Sequence, residues 1–439
     1  MKAQSKRTLR LETLECRRVL AASSFVPFPV ITLDGNFQES IAVDIDADGD
    51  QDIIASTTER VLWFEAMDGE YVERVLPDAQ FESSLLHAED FDEDGDLDLF
   101  VSKTNEFRSP EWNEGRRSEL LWFENTDGQG AFAEPRRLLS STLTFIEEIH
   151  LVDLDADGFR DILVSSFFPG SGTLAWHRND GTSQYTRHWL TGNFATALIP
   201  YDIDEDGDLD VFTSNSGGDV PAFSINWFER SPDNTFTRHR LPSSVAGEVL
   251  LVDLDLDGDP DALRKLVFRH NNGIGLRENL GAGSFSDLVM LVEVDARIQN
   301  FWTEDFDLDG RVDLLVKSRG SSFDLFPGLG DAQFGSPRPV IDDIDYDYDH
   351  FRPQDMDGDG DLDLFYMRGE QGEFGWIENR LAGDVNNDDQ VSFADFLVLQ
   401  ERFGENVEAW SQGDLNGDGE VSFADFLLLA ANFGEDRLA

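Results

Sequence analysis

The chain has 439 residues, with 89 Asp and Glu against 34 Lys and Arg, giving a formal net charge of −55 and a pI near 4.1. An apolar content of 40% with 11% aromatics is too hydrophobic for an acidic disordered chain, so the sequence reads as globular, with two or three domains at ~100–200 residues each. The charge excludes a nucleic-acid or anionic-lipid surface, the single Cys excludes a disulfide framework, and no run of ~18 apolar residues is present to form a membrane helix.

Residues 1–22 differ from the rest of the chain, because Lys2, Lys6, Arg7, Arg10, Arg17 and Arg18 oppose only Glu12 and Glu15. The segment lacks the continuous apolar core of an ordinary signal peptide. Its wording from Leu11 to Ala22 resembles the leader of many planctomycete-type bacterial extracellular proteins, which implies export and an extracellular or cell-surface location. Cys16 then belongs to the leader.

From residue 24 to 381 one acidic string recurs seven times, D-x-D-x-D-G-x-x-D, beginning at Asp44, Asp90, Asp153, Asp202, Asp253, Asp305 and Asp355 with spacings of 46, 63, 49, 51, 52 and 50. A fixed period of this length marks a repeat architecture. Each string lies between two short strand-like runs, such as Val249–Val252 before it and Leu99–Val101 after it. A third run carries Trp63, Trp122, Trp176, Trp227 or Trp376, replaced by Leu276 and Leu325, which reads as core between repeats. A fourth opens on Tyr71, Phe132, Tyr185, Phe236, Phe285 or Phe334. Four strands per ~50 residues without helical periodicity predict a mainly β, seven-bladed propeller. The seventh repeat stops after its third strand, and Ser24–Ile31 matches Gln333–Val340, so the N-terminal strand is expected to complete blade seven.

Carboxylates at positions 1, 3, 5 and 9 with Gly at 6 converge on one point and repel unless a cation neutralises them. Hard oxygen donors in that number suit Ca²⁺, with 6–8 oxygens at ~2.3–2.6 Å, better than Mg²⁺ or a softer metal. The candidate ligands are Asp44, Asp46, Asp48 and Asp52; Asp90, Asp92, Asp94 and Asp98; Asp153, Asp155, Asp157 and Asp161; Asp202, Asp204, Asp206 and Asp210; Asp253, Asp255, Asp257 and Asp261; Asp305, Asp307, Asp309 and Asp313; Asp355, Asp357, Asp359 and Asp363. Position 7 varies freely, as expected if only its carbonyl is used. The repeats resemble the FG-GAP or VCBS repeats of integrin-alpha-like propellers. That resemblance implies structural calcium between the first and second strands of each blade and ligand binding on the opposite face.

Residues 382–436 hold a second repeat. A 12-position loop with Asp384, Asn386, Asp388, Gln390, Ser392 and Asp395 recurs 30 residues on as Asp414, Asn416, Asp418, Glu420, Ser422 and Asp425. Each loop runs into an apolar helix ending in Phe-Gly, half of an EF-hand. The pair resembles a type I dockerin domain, which implies two further calcium ions, up to nine in all, and a cohesin-like or other docking partner. Asp389 stands where the loop Gly is expected. Phe393-Ala394 and Phe423-Ala424 replace the hydroxyls usually offered to cohesin; Phe393 and Phe423 either pair the two halves in the core or form an apolar docking surface.

Of the seven His, His188 and His239 share a strand position in successive blades, which argues for scaffold. Two segments break the repeat and are candidates for ligand contact: an insertion with Arg108, Trp112, Arg116 and Arg117, and a loop with Tyr346, Tyr348 and His350. The expectation is an extracellular calcium-binding propeller that engages a glycan or protein and is tethered by the dockerin-like module. The alternative is an enzyme or accessory subunit of polysaccharide degradation, a glycoside hydrolase or lyase, since dockerins accompany such enzymes; no catalytic residue stands out.

Overall fold

The computed structural model describes residues 25–27, 31–32, 37–67, 70–107, 115–143, 145–168, 171–182, 184–191, 195–216, 223–242, 249–267, 272–294, 296–318, 322–341, 350–358, 360–368, 372–379, 383–386, 390–405, 412–415 and 420–434. The expected 1–22 leader lies outside them. The fold is a mainly β, seven-bladed propeller with two short helices near the C-terminus. Two compact units divide it, residues 36–295 and residues 1–35 with 296–439.

The first unit holds five antiparallel four-stranded meanders. Blade one runs Phe37–Val43, Asp52–Thr57, Val61–Met67 and Glu70–Arg74. Blade two runs Leu86–Glu89, Asp98–Phe107, Gly115–Phe123 and Arg136–Leu143. Blade three runs Phe145–Val152, Asp161–Phe168, Ser171–Asn179 and Tyr185–Thr191; blade four, Ala195–Tyr201, Asp210–Ser216, Phe223–Arg230 and Phe236–Pro242; blade five, Val249–Val252, Asp261–Val267, Asn272–Arg277 and Val289–Val294. The second strands are central in their blades, and in blade one all six residues of Asp52–Thr57 are buried. Every acidic loop joins a first strand to a second, and its position-9 Asp is the first residue of that second strand.

Apolar clusters lie between neighbouring blades. Trp63 packs with Leu86, Leu99 and Phe123 of the next blade, and Trp176 with Leu198, Val211 and Phe228 of the next. Phe132 and Phe236 meet these two indoles edge-on, both at 5.9 Å between centroids, a favoured aromatic geometry. The close approach explains Gly130 and Gly283: a Cβ there would stand 2.0 and 2.1 Å from the rings of Trp63 and Trp227.

The expected fourth-strand aromatics divide. Tyr71, Tyr185 and Phe236 lie in that strand, whereas Phe132 and Phe285 make isolated bridges to Asn125 and Asn279, and the strands begin later at Arg136 and Val289. A tight turn at the end of the third strand captures these rings against the preceding blade before the edge strand starts. Phe334 likewise sits in a small hairpin, Gly328–Gly330 with Gln333–Phe334.

The second unit holds blades six and seven and the helical module. Blade six runs Ile298–Glu304, Asp313–Ser318, Phe323–Phe326 and Arg338–Ile341; blade seven runs His350–Gln354, Asp363–Arg368 and Glu373–Asn379. Phe25–Pro27 pairs with Ile377–Asn379, and Ile31–Thr32 with Glu373 and Phe374. The N-terminal segment thus adds the outer strand of blade seven, in two pieces. Helices α1 (Phe393–Arg402) and α2 (Phe423–Ala431) pack around Val385, Val391, Leu399, Leu415, Val421 and Leu429. No helix among the described residues is long and apolar enough to cross a membrane.

Candidate metal centres

Each propeller loop is wound around its own first carboxylate. The Gly at position 6 donates its N–H to the position-1 Asp in all seven copies, at 2.8–3.1 Å, from Gly49 on Asp44 to Gly360 on Asp355. The position-5 Asp accepts the position-7 N–H, as Asp48 does from Asp50 at 3.0 Å and Asp206 from Asp208 at 2.9 Å. This winding needs left-handed backbone at position 6, always Gly, and also at position 4. Position 4 is Ala47, Glu93, Ala156, Glu205, Leu256 and Leu308 at φ 56–62°, and Gly358 in blade seven. A left-handed non-Gly residue costs about 1–2 kcal/mol, so six loops store strain that something else offsets.

The result is a cluster of carboxylates. Oxygens of Asp44, Asp46 and Asp48 lie within 4.8 Å of one another, as do those of Asp90, Asp92 and Asp94, of Asp202, Asp204 and Asp206, and of Asp253, Asp255 and Asp257. In blade three the grouping is Asp153, Asp155 and Asp161. Buried position-3 or position-1 oxygens in six of the loops have no hydrogen-bond donor: Oδ1 of Asp46, Asp90, Asp155, Asp204, Asp253 and Asp307. An acceptor-only group left without a donor in such a place calls for a cation, and an all-oxygen set fits calcium. Burial, then the charges of Asp48 and Glu65, pushes Asp46 up to about 6. Asp359 lies outside the described residues.

Position 9 plays a second part that the spacing does not reveal. In every blade its Oδ1 accepts a backbone N–H from the third strand or from the residues just beyond it, at 2.6–2.9 Å: Ala66 on Asp52, Asn125 on Asp98, Asn179 on Asp161, Arg230 on Asp210, Asn279 on Asp261, Gly328 on Asp313 and Asn379 on Asp363. Oδ2 accepts the indole N–H of Trp63, Trp176 and Trp227 in blades one, three and four, at 2.8–3.0 Å. These three Trp residues are therefore both core and loop anchors. Where Leu276 replaces Trp in blade five, Asp261 Oδ2 has no donor. Burial raises all seven carboxyls, to about 7 for Asp52, about 8 for Asp363 and about 6 for the other five.

The helical module repeats this logic. Asp395 Oδ1 accepts N–H bonds from Val385 at 2.8 Å and Asn386 at 3.1 Å, while Oδ2 accepts from Ser392 N–H at 2.8 Å. Asp425 does the same with Leu415 at 2.8 Å and Ser422 at 2.7 Å. Ser392 and Ser422 close capping boxes with these acids, so one carboxylate ties loop to helix. Asp384 and Asp414 are buried at the loop starts, Asn386, Gln390 and Glu420 are exposed, and Asp388, Asn416 and Asp418 lie outside the described residues. Backbone bonds from Gly404 N–H to Val421 and from Gly434 N–H to Val391 cross-link the two halves with pseudo-twofold symmetry. Of the two roles open to Phe393 and Phe423, core pairing is overturned: each is 61% exposed, and Phe396 and Phe426 meet between the helices at 6.1 Å instead.

The candidate ligand residues are less assembled. The blade-two insertion lengthens the hairpin of the second and third strands, paired out to Phe107 and Gly115, at the end of the sheet opposite its acidic loop. Arg116 and Arg117 lie on the third strand; Arg108 and Trp112 lie outside the described residues. His350 opens the first strand of blade seven opposite Met367, while Tyr346 and Tyr348 lie outside the described residues. His188 and His239 stack on Trp176 and Trp227 at 4.8 and 4.3 Å, a scaffold role.

Fold and loops together define a β-propeller with an acidic loop at the same place in every blade, followed by a paired half-EF-hand module. Residues 44–101, 90–164 and 153–213 match the FG-GAP-like repeat family, each segment starting on the first Asp of a loop, and residues 382–434 match the dockerin type I domain. The chain thus carries FG-GAP-like repeats on a seven-bladed propeller and a dockerin type I domain at the C-terminus. Dockerin domains bind calcium and cohesins and occur in extracellular proteins. No curated protein matches the sequence. A chain in the crystal structure of BBS1N in complex with ARL6DN, soaked with lead, is similar with a TM-score of 0.52 at 9% identity, covering 81% of this chain and 97% of that one, a likeness of fold alone.

Proposed function

We propose that this protein is an extracellular recognition module: a calcium-stiffened propeller that binds a glycan or protein ligand, tethered through its dockerin domain. The observation that carries the reading is the pairing of a propeller whose repeated acids are committed to its loops with a docking module that presents a matched apolar surface. Phe393 and Leu397 on α1 and Phe423 and Leu427 on α2 are 49–61% exposed at equivalent positions of the two halves. Exposed apolar groups clustered in this way mark an interaction surface. In the propeller, ligand contact is assigned to the blade-two insertion with Arg108, Trp112, Arg116 and Arg117 and to the segment with Tyr346, Tyr348 and His350. All seven propeller loops, with their 28 Asp, and both dockerin loops are assigned calcium.

Two measurements test this. On a glycan array the full chain shows saturable binding in calcium and loses it in EDTA; absence of binding in both conditions refutes the glycan ligand and leaves a protein ligand, and release of reducing sugar from a bound polysaccharide replaces recognition with the enzymatic reading. For the tether, Phe393→Ser with Phe423→Ser is expected to leave stability within about 0.5 kcal/mol, as surface changes do, while weakening capture by an immobilised cohesin at least tenfold. Unchanged capture would remove these residues from the docking surface.

A further inference from the structure

The seven loops differ at one structurally equivalent position, two residues beyond the Trp or Leu of the third strand. It is Glu65, Glu124, Glu229, Glu278 and Glu378 in blades one, two, four, five and seven, Pro327 in blade six, and Arg178 in blade three. In blades one, two, four and five that Glu bears on the position-3 Asp as a like charge, Glu65 on Asp46, Glu124 on Asp92, Glu229 on Asp204 and Glu278 on Asp255. A further carboxylate beside an acidic cluster deepens its demand for a cation. In blade three the sign is reversed.

Arg178 reaches into the loop. Its Nε lies 2.5 Å from Asp155 Oδ2 and its Nη2 3.0 Å from Asp157 Oδ2, so one guanidinium bridges positions 3 and 5. Asp155 is 1% exposed at its side chain, and the same Oδ2 accepts Asn234 Nδ2–H from blade four at 3.0 Å, while its Oδ1 has no donor and leaves room for a weakly held ion. Asn234 in turn accepts from Arg230 Nη1 at 3.1 Å, and Arg230, itself buried, holds Asp208 at 2.6 Å. A planar guanidinium whose donors meet two carboxylates delivers charge and geometry together. The loop still has the strained winding of its siblings, with Ala156 left-handed at φ 56°.

We propose that the blade-three loop carries its own cation, with Arg178 doing there what calcium does in the other loops, so that this loop keeps its fold without calcium and binds calcium more weakly than they do. The inference rests on the reading of the loops as calcium sites. A molecule built this way retains a calcium-independent joint between blades three and four when other loops lose their metal; in blade six Arg311 meets only the position-5 carboxylate, Asp309, and bridges no pair.

Hydrogen exchange of the full chain in calcium and in EDTA tests it, read peptide by peptide. Residues 153–161 are expected to change less than about threefold on chelation, while 44–52 and 202–210 exchange at least tenfold faster. In Arg178→Glu, the loop 153–161 becomes as sensitive to EDTA as its siblings and recovers in calcium. Arg178→Gln, which removes the charge without adding a carboxylate, gives the same loss of protection in EDTA and keeps the test open if the Glu variant does not fold. Equal loss of protection in all seven loops of the wild type overturns this inference alone. No loop responding to EDTA, or loop 153–161 unaltered in both variants, overturns the calcium reading in the first case and the Arg178 assignment in the second.

Discussion

Chelating calcium is expected to lower the melting temperature of the full chain by more than about 10 °C at pH 8, and by less at pH 5. A ligand that binds only the folded state contributes about 2.7 kcal/mol when its free concentration is a hundredfold above Kd, and three such loops in one cooperative unit contribute about 8 kcal/mol. At about 2–4 °C per kcal/mol for a unit of 150–250 residues, the shift clears the stated threshold. The pH dependence follows from the buried position-9 acids, whose pKa values rise on folding from the ordinary 3.8 to about 6, 7 or 8. The folded chain without metal holds protons on these acids that the unfolded chain has released, so their contribution to stability is fully present below pH 3.8 and is lost as pH rises through 6–8. With calcium present the trend is opposite, because the metal binds carboxylates and not carboxylic acids. Melting curves in EDTA and in calcium at the two pH values check both signs; parallel curves with no EDTA effect would refute them.

Asp210→Ala is expected to destabilise the first unit by about 3 kcal/mol or more in saturating calcium. Three donors converge on this carboxylate: Trp227 Nε1–H at 2.8 Å, Ile203 N–H at 3.2 Å and Arg230 N–H at 2.8 Å. All are buried or half-buried, and each buried donor stranded without a partner costs about 1–3 kcal/mol. Asp206, at position 5 of the same loop, is exposed and accepts only the Asp208 N–H. Asp206→Ala therefore costs little in EDTA and acts through lost calcium affinity. Denaturant unfolding of both variants with and without calcium separates anchor from ligand: the Asp210 penalty persists in EDTA, whereas the Asp206 penalty disappears. Identical calcium dependence for the two would contradict that division.

Much of this was legible in the residues, and the exceptions have physical reasons. The D-x-D-x-D-G-x-x-D period marks the blades because a metal loop demands specific oxygens at fixed places, and the half-EF-hand spacing does the same for the dockerin. The left-handed position 4 was invisible: six of seven copies place Ala, Glu or Leu there, and only Gly358 advertises the conformation. The Trp-to-Asp bond was hidden because a large aromatic in a β run signals core equally well, and here it is both. Exposure of Phe393 and Phe423 escaped the pattern because each stands at the first helical position, stacked on Phe396 or Phe426 at 5.5 and 5.6 Å while turned outward. The late fourth strands follow from turns that divert Phe132 and Phe285 into the preceding blade. Arg178 was readable only by aligning the third strands, where it is the one basic residue in a column of five Glu and one Pro.

The central claim is that the acidic loops are filled by calcium, and counting ions tests it most directly. Native mass spectrometry of the full chain, exchanged into micromolar calcium, is predicted to show tightly held ions from the six propeller loops other than blade three and from both dockerin loops. Two ions or fewer, no more than the dockerin domain alone accounts for, would contradict the account.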